Sequence, residues 1–308
     1  METENLIHTE KLSKNYRSIH ALHDLDLTVK KGDIYGFLGP NGSGKTTTIR
    51  LMLGLIKPSA GEALIRGYNV RTTPVQALDK VGSIVETPRF YSYLTGHQNL
   101  ALSGRLIPRF DKKNIMPVLE MVGLTKNIKQ KTIHYSLGMK QRLGIAMAML
   151  SQPDIIILDE PTISLDPQGM KEMRDLMMNL NREQGITFFI STHLLYEVEQ
   201  ICNRVGILKK GTLIYEGYVA EIVSPNEETV EMVTREEEKA LSLLPTIPFI
   251  LTTEKKENGI QVKIPRGKSG ELNRLFHEAG ISLDYMIPKN PSLEDFFLEL
   301  TKGDKQNA

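Results

Sequence analysis

Gly39-Pro40-Asn41-Gly42-Ser43-Gly44-Lys45-Thr46 is the stretch that decides the fold of this chain. Its spacing, Gly-x-x-x-x-Gly-Lys-Thr, is that of a P-loop, whose glycines let consecutive backbone N–H groups converge on one anion. The flanks agree. Asp33–Leu38 reads as a short buried strand, and Thr47–Leu55 reads as a helix that Pro58-Ser59-Ala60-Gly61 breaks. A helix begun at this loop adds roughly half a positive charge at its N-terminus, so the pattern points to phosphate. Lys45 then suits the β- and γ-phosphates, and the Thr46 hydroxyl suits Mg²⁺. Gly39, Pro40, Asn41, Gly42, Ser43, Gly44, Lys45, Thr46 and Thr47 form the expected nucleotide-binding set.

Such a loop needs a carboxylate on the metal side. Ile155-Ile156-Ile157-Leu158-Asp159-Glu160 supplies one at the end of an all-apolar run, the kind buried on both faces of a parallel sheet. Open α/β sheets bind ligands at that edge of the strands. Asp159 is expected on Mg²⁺, and Glu160, one residue on, is expected as the general base that polarises the attacking water.

Outward from these motifs, strand and helix signals alternate, which makes an α/β core. Strands are expected at Leu6–Leu12, Leu22–Val29, Ala63–Arg66, Val81–Val85, Thr187–Ser191, Val205–Lys209 and Thr212–Gly217. Leu100–Leu150 reads as mainly helical, and Gly169–Glu183 and Leu195–Cys202 as helices. Composition shifts at Ser224-Pro225-Asn226, and the next dozen residues carry six glutamates against Arg235. That run reads as a solvated face. After it, strands at Ile260–Ile264 and Ile281–Ile287 alternate with helices at Gly270–Ala279 and Leu293–Thr301. The expected domains are 1–225 and a small C-terminal α+β domain at 226–308, with a frayed tail at Gly303–Ala308.

Composition narrows the class. A chain of 308 residues is long enough for about two domains, and a net charge of +1 argues against bulk nucleic-acid binding. The single cysteine, Cys202, allows no internal disulfide and reads as structural. No apolar run approaches the roughly 20 residues needed to span a bilayer, and Met1–Glu10 lacks a signal-peptide layout. Any membrane role is expected to pass through a partner.

Tyr135-Ser136-Leu137-Gly138-Met139-Lys140-Gln141-Arg142 precedes the Asp159 strand, and Leu158-Asp159-Glu160-Pro161-Thr162 is followed by Ser164-Leu165-Asp166. With the P-loop, in this order, these segments resemble the nucleotide-binding subunits of ABC transporters over residues 4 to about 220. The resemblance implies a P-loop NTPase fold with a RecA-like core, an antiparallel β subdomain and a helical subdomain at about 87–150. It also implies that Ser136 and Gly138 contact the γ-phosphate of an ATP held by a second subunit, and that Asp166 links the two sites. His193, by the same resemblance, senses the γ-phosphate and orients the water, and Tyr16 stacks on adenine.

Two segments depart from the family pattern. Leu137 and Met139 stand where the signature usually has glycine and glutamine. Glu86, in Ile84-Val85-Glu86, stands where most cassettes have a glutamine that touches Mg²⁺ and signals to the membrane subunit. Glu86 can also ligate Mg²⁺. The stretches Glu86–Tyr91 and Tyr135–Met139 resemble exporters that protect bacteria from bacitracin and lantibiotic peptides. The expected protein is therefore the ATPase subunit of a bacterial ABC exporter at the cytoplasmic membrane face, paired with a second cassette and a separate transmembrane permease. Phe90, Tyr91 and Tyr93 are the expected anchors for that permease. A soluble ABC ATPase acting on ribosomes or DNA is the alternative, disfavoured by the single cassette and near-neutral charge.

Overall fold

The computed structural model describes residues 4–108, 110–223, 226–256, 259–289 and 292–302. Strands β1 (Asn5–Tyr16), β2 (Ile19–Leu25) and β3 (Thr28–Lys30) lead into β4 (Ile34–Leu38), whose five residues are all buried. Helix α1 (Lys45–Met52) leaves the P-loop, followed by β5 (Ala60–Ile65), β6 (Tyr68–Asn69), α2 (Pro74–Leu78) and β7 (Val81–Ile84). Next come α3 (Gly96–Gly104), α4 (Ile115–Met121) and α5 (Leu137–Met149), joined by short 3₁₀ turns. The helical region starts earlier than Leu100 because Thr95 and Gln98 cap α3 reciprocally. The α/β alternation continues with β8 (Ile155–Asp159), α6 (Pro167–Gln184), β9 (Thr187–Thr192), α7 (Leu195–Ile201), β10 (Arg204–Lys209) and β11 (Thr212–Tyr218).

Two sheets result. β1 lies between β2 and β5 in an antiparallel sheet, with β6 beyond β5 and β3 also pairing β1. The larger sheet runs β11-β10-β4-β9-β8-β7, parallel from β10 to β7. Between the two sheets sits one apolar core, in which Phe37 and Tyr35 of β4 pack on the Phe189 ring. The sheet order puts the P-loop, at the end of β4, between β9 and β8 on one side and β10 on the other. These are the P-loop core, antiparallel subdomain and helical region that the sequence resemblance implies.

Chain contacts divide at Gly217/Tyr218, eight residues before the compositional break. The reason is α8 (Val219–Val223), which packs on α11 (Leu293–Lys302) of the second unit. Ser224 and Pro225, and the tail expected at Gly303–Ala308, lie outside the described residues. The second unit also holds β12 (Glu227–Thr234), α9 (Glu237–Leu243), β13 (Thr252–Lys256), β14 (Gly259–Pro265), α10 (Ser269–Glu278) and β15 (Leu283–Lys289). Its antiparallel sheet runs β13-β14-β12-β15 over a separate core that includes Val230, Met232, Val262, Leu272 and Phe276.

The acidic run is therefore not only a solvated face. Its first eight residues form β12, a central strand, because Val230 and Met232 face inward in alternation with Thr229, Glu231 and Val233. Even Glu228 turns inward, where its carboxylate accepts the Ser269 N–H at the start of α10 (3.1 Å). Among the described residues no helix is long and apolar enough to cross a membrane.

Candidate nucleotide site

Backbone geometry builds the site before any side chain does. Gly42 and Gly44 hold φ of +81° and +113°, a region that L-residues rarely adopt. A Cβ on Gly44 would stand 2.7 Å from the Ala21 carbonyl, and one on Gly39 would stand 2.5 Å from the Leu208 carbonyl. The loop is thus pressed between β2 and β10. It floors a cleft of about 490 Å³.

Lys45, almost fully buried, donates to the Gly39 carbonyl at 2.7 Å and lies 3.3 Å from Glu160 Oε1. Thr46 Oγ1 donates to Asp159 Oδ2 at 2.9 Å, and the Ser191 hydroxyl holds the other Asp159 oxygen. Glu160 sits at φ +48°, so its side chain leaves the strand in a different direction from that of Asp159. Its other oxygen meets His193 Nδ1 at 2.9 Å, and its backbone N–H donates to the Ser191 carbonyl at 3.1 Å. Five predicted residues (Lys45, Thr46, Asp159, Glu160, His193) therefore converge, and Ser191 joins them as a support that the sequence did not single out.

The arrangement pairs a lysine and backbone N–H groups, which suit phosphate, with a carboxylate–imidazole pair, which suits a water molecule. Thr46 and Asp159 offer oxygen donors only, the set a hard divalent cation takes along with substrate oxygens and water. No cluster of three His, Cys, Asp or Glu side chains among the described residues could hold a metal by itself.

Other predicted residues stand elsewhere. Glu86 is exposed, at φ +65°, and its carboxylate is paired with Arg50 Nη2 of α1 at 2.5 Å. Tyr16 is not among the residues lining the cleft, and Lys14 Nζ lies 4.9 Å from its ring centroid. Ile19, His20, Ala21 and Lys210 line the rim instead. None of these four carries a motif, and only the hydrogen-bonded path of the chain brings them to the loop. Ser136 caps α5 by accepting the Met139 N–H, and Asp166 caps α6 by accepting the Gly169 N–H at 3.0 Å. Neither they nor Gly138 line the cleft of their own chain. Beneath the signature, burial raises the Tyr135 phenol pKa, and its O–H donates to the Asn127 carbonyl.

Comparison with known proteins gives this geometry a family. Residues 22–163 match the model of the ABC transporter family. The bacitracin transport ATP-binding protein BcrA of Bacillus licheniformis is 44% identical over 97% of this chain and 98% of its own. The chain belongs to the ABC transporter ATP-binding proteins. Among solved structures, this ABC cassette is similar to cbiO1 of Clostridium perfringens, part of the ABC transporter complex cbiONQ. The TM-score is 0.66 and the identity 27%, over 80% of this chain and 96% of that one. It is also similar to the ATP-binding cassette MJ0796, solved as a dimer in a post-hydrolysis state bound to ADP and Pi. There the TM-score is 0.62 and the identity 27%, over 69% of this chain and 98% of that one. The cassette is accordingly an ATPase of a transport system; the P-loop, Glu160 and Ile163 of the cleft lie within the matched segment, and Ile19, His20, Ala21, Lys210 and Gly211 of its rim lie outside it.

Proposed function

We propose that this cassette hydrolyses ATP through the Glu160–His193 pair and powers a bacterial exporter that removes, or protects against, a peptide antibiotic of the bacitracin class. The observation that carries the chemistry is one bonded set at the cleft: Lys45, Thr46 and Glu160 line it, Asp159 is bonded to Thr46, and His193 is bonded to Glu160. The buried Ser43 hydroxyl, without a hydrogen-bond partner among the described residues, adds support for a phosphate in the loop. Lys45 and the loop N–H groups bind the β- and γ-phosphates. Glu160 takes the proton of the attacking water, and His193 holds the Glu160 carboxylate in place. Thr46 and Asp159 would hold Mg²⁺, which, when bound, neutralises charge building on the transferred phosphoryl group.

Ser136, Gly138 and Asp166 do not line their own cleft, which supports a second cassette completing each site. A separate permease is the membrane partner, and it would hold the cassette at the cytoplasmic face. Tyr91 and Tyr93, both more than half exposed, are presented on a backbone that Asn99 and Thr132 clamp at Tyr91. That rigid, aromatic loop suits the permease contact. The bacitracin class rests on likeness to BcrA.

Glu160→Gln tests the chemistry. ATP binding should persist, turnover should drop by about 10²-fold or more, and an ATP-bound dimer should accumulate on a sizing column. Near-normal turnover would remove Glu160 from the base role. The cargo is tested in cells: loss of the gene should sharpen killing by bacitracin, and unchanged killing would sink that substrate class.

A further inference from the structure

The P-loop has two flanks, and the chemistry uses one of them. Asp159, Glu160 and His193 all come from the β8 and β9 side of β4. The other flank is the turn between β10 and β11, Lys210-Gly211, with φ of +46° and +81°. This turn is clamped at three points. The Gly211 N–H donates to the Ser43 carbonyl of the P-loop at 2.9 Å, and the His23 N–H donates to the Gly211 carbonyl at 2.8 Å. A Cβ on Gly211 would stand 2.9 Å from the Ala21 carbonyl, so the turn has no slack toward β2.

The clamp fixes where Lys210 stands: exposed, on the rim of the cleft, with His20 of β2 on the same rim. Glu160 and Lys210 both line this cleft but come from opposite flanks of the P-loop, so a nucleotide whose γ-phosphate lies by Glu160 can extend its α-phosphate end toward Lys210. We infer that Lys210 is a nucleotide-binding residue that holds the α-phosphate end, the part ATP and ADP share. The inference rests on the cleft being an ATP site. An ammonium is a compact point charge with three donors, suited to a phosphate oxygen without fixed geometry. Its exposure makes the contact sensitive to salt.

The test is titration calorimetry of the full chain with ATP and with ADP, at low and at high ionic strength. Lys210→Met keeps the side-chain stem and removes the charge. It should raise Kd for both nucleotides by about tenfold and by the same factor. Lys210→Arg should restore most of the affinity, and the difference should shrink at high salt. Should the methionine variant fail to fold, Lys210→Gly removes the same charge while relieving the left-handed backbone. Unchanged affinity in a folded variant overturns the inference, and so does a loss confined to ATP, which would put the charge at the γ-phosphate. A wild-type chain that binds neither nucleotide overturns the ATP reading of the cleft itself.

Discussion

At the scale of single residues, the most informative side chain is the one that departs from its family's pattern. Glu86 carries a negative charge where a neutral amide is usual, and it is found paired with Arg50 rather than with Thr46 or Asp159. Both side chains are well exposed, so the pair holds by roughly 1 kcal/mol at most, and nucleotide binding can break it. Once released, a carboxylate near the phosphates would make activity depend on how well metal neutralises it. Glu86→Gln is therefore expected to shift the Mg²⁺ dependence of ATP hydrolysis while the protein stays folded. An unchanged Mg²⁺ titration would mean that Glu86 serves Arg50 alone. The Arg50 partnership was not legible beforehand, because nothing in the spacing of residues 50 and 86 brings them together. Lys210 was equally silent: a lysine before a glycine in a hairpin looks like any other turn. Lys45, Asp159 and Glu160 were legible because strand–loop–helix order fixes where they must stand.

At the scale of elements, the strands buried on both faces were the easiest to read, since Ile155–Leu158 and the residues before the P-loop are continuous apolar runs. β12 was hidden because its alternation is written in glutamates, whose charge outweighs Val230 and Met232 in any composition reading. β13 was hidden for a related reason: Thr252–Lys256 is exposed along its whole length and offers no apolar period. The contact of α7 with β4 makes a sharper claim. A Cβ on Gly36 would stand 2.8 Å from Val198 Cγ1 and 3.0 Å from the Cys202 sulfur. Gly36→Ala must push α7 outward or force its rotamers, at a cost of about 1–3 kcal/mol. The melting temperature should fall by several degrees. A melting curve that superimposes on wild type would show that α7 has room to spare.

At the scale of the whole molecule, the two units hold separate cores, and every residue of the candidate site lies before Gly217. A chain ended at Val223 should therefore still bind ATP with wild-type affinity, measured by calorimetry. Loss of binding in a folded truncated chain would show that the second unit supports the site. The sheet order has a consequence during synthesis on the ribosome. β4 emerges early, yet both of its neighbours, β9 and β10, are made only after about 150 further residues. Until then Ile34, Tyr35, Phe37 and Leu38 have no sheet to enter, and long-range pairing of this kind is slow. The nascent chain thus carries an apolar, unpaired strand through about half of its own translation. Stalled or truncated products that stop before Arg204 would be prime clients for chaperones and the first to aggregate.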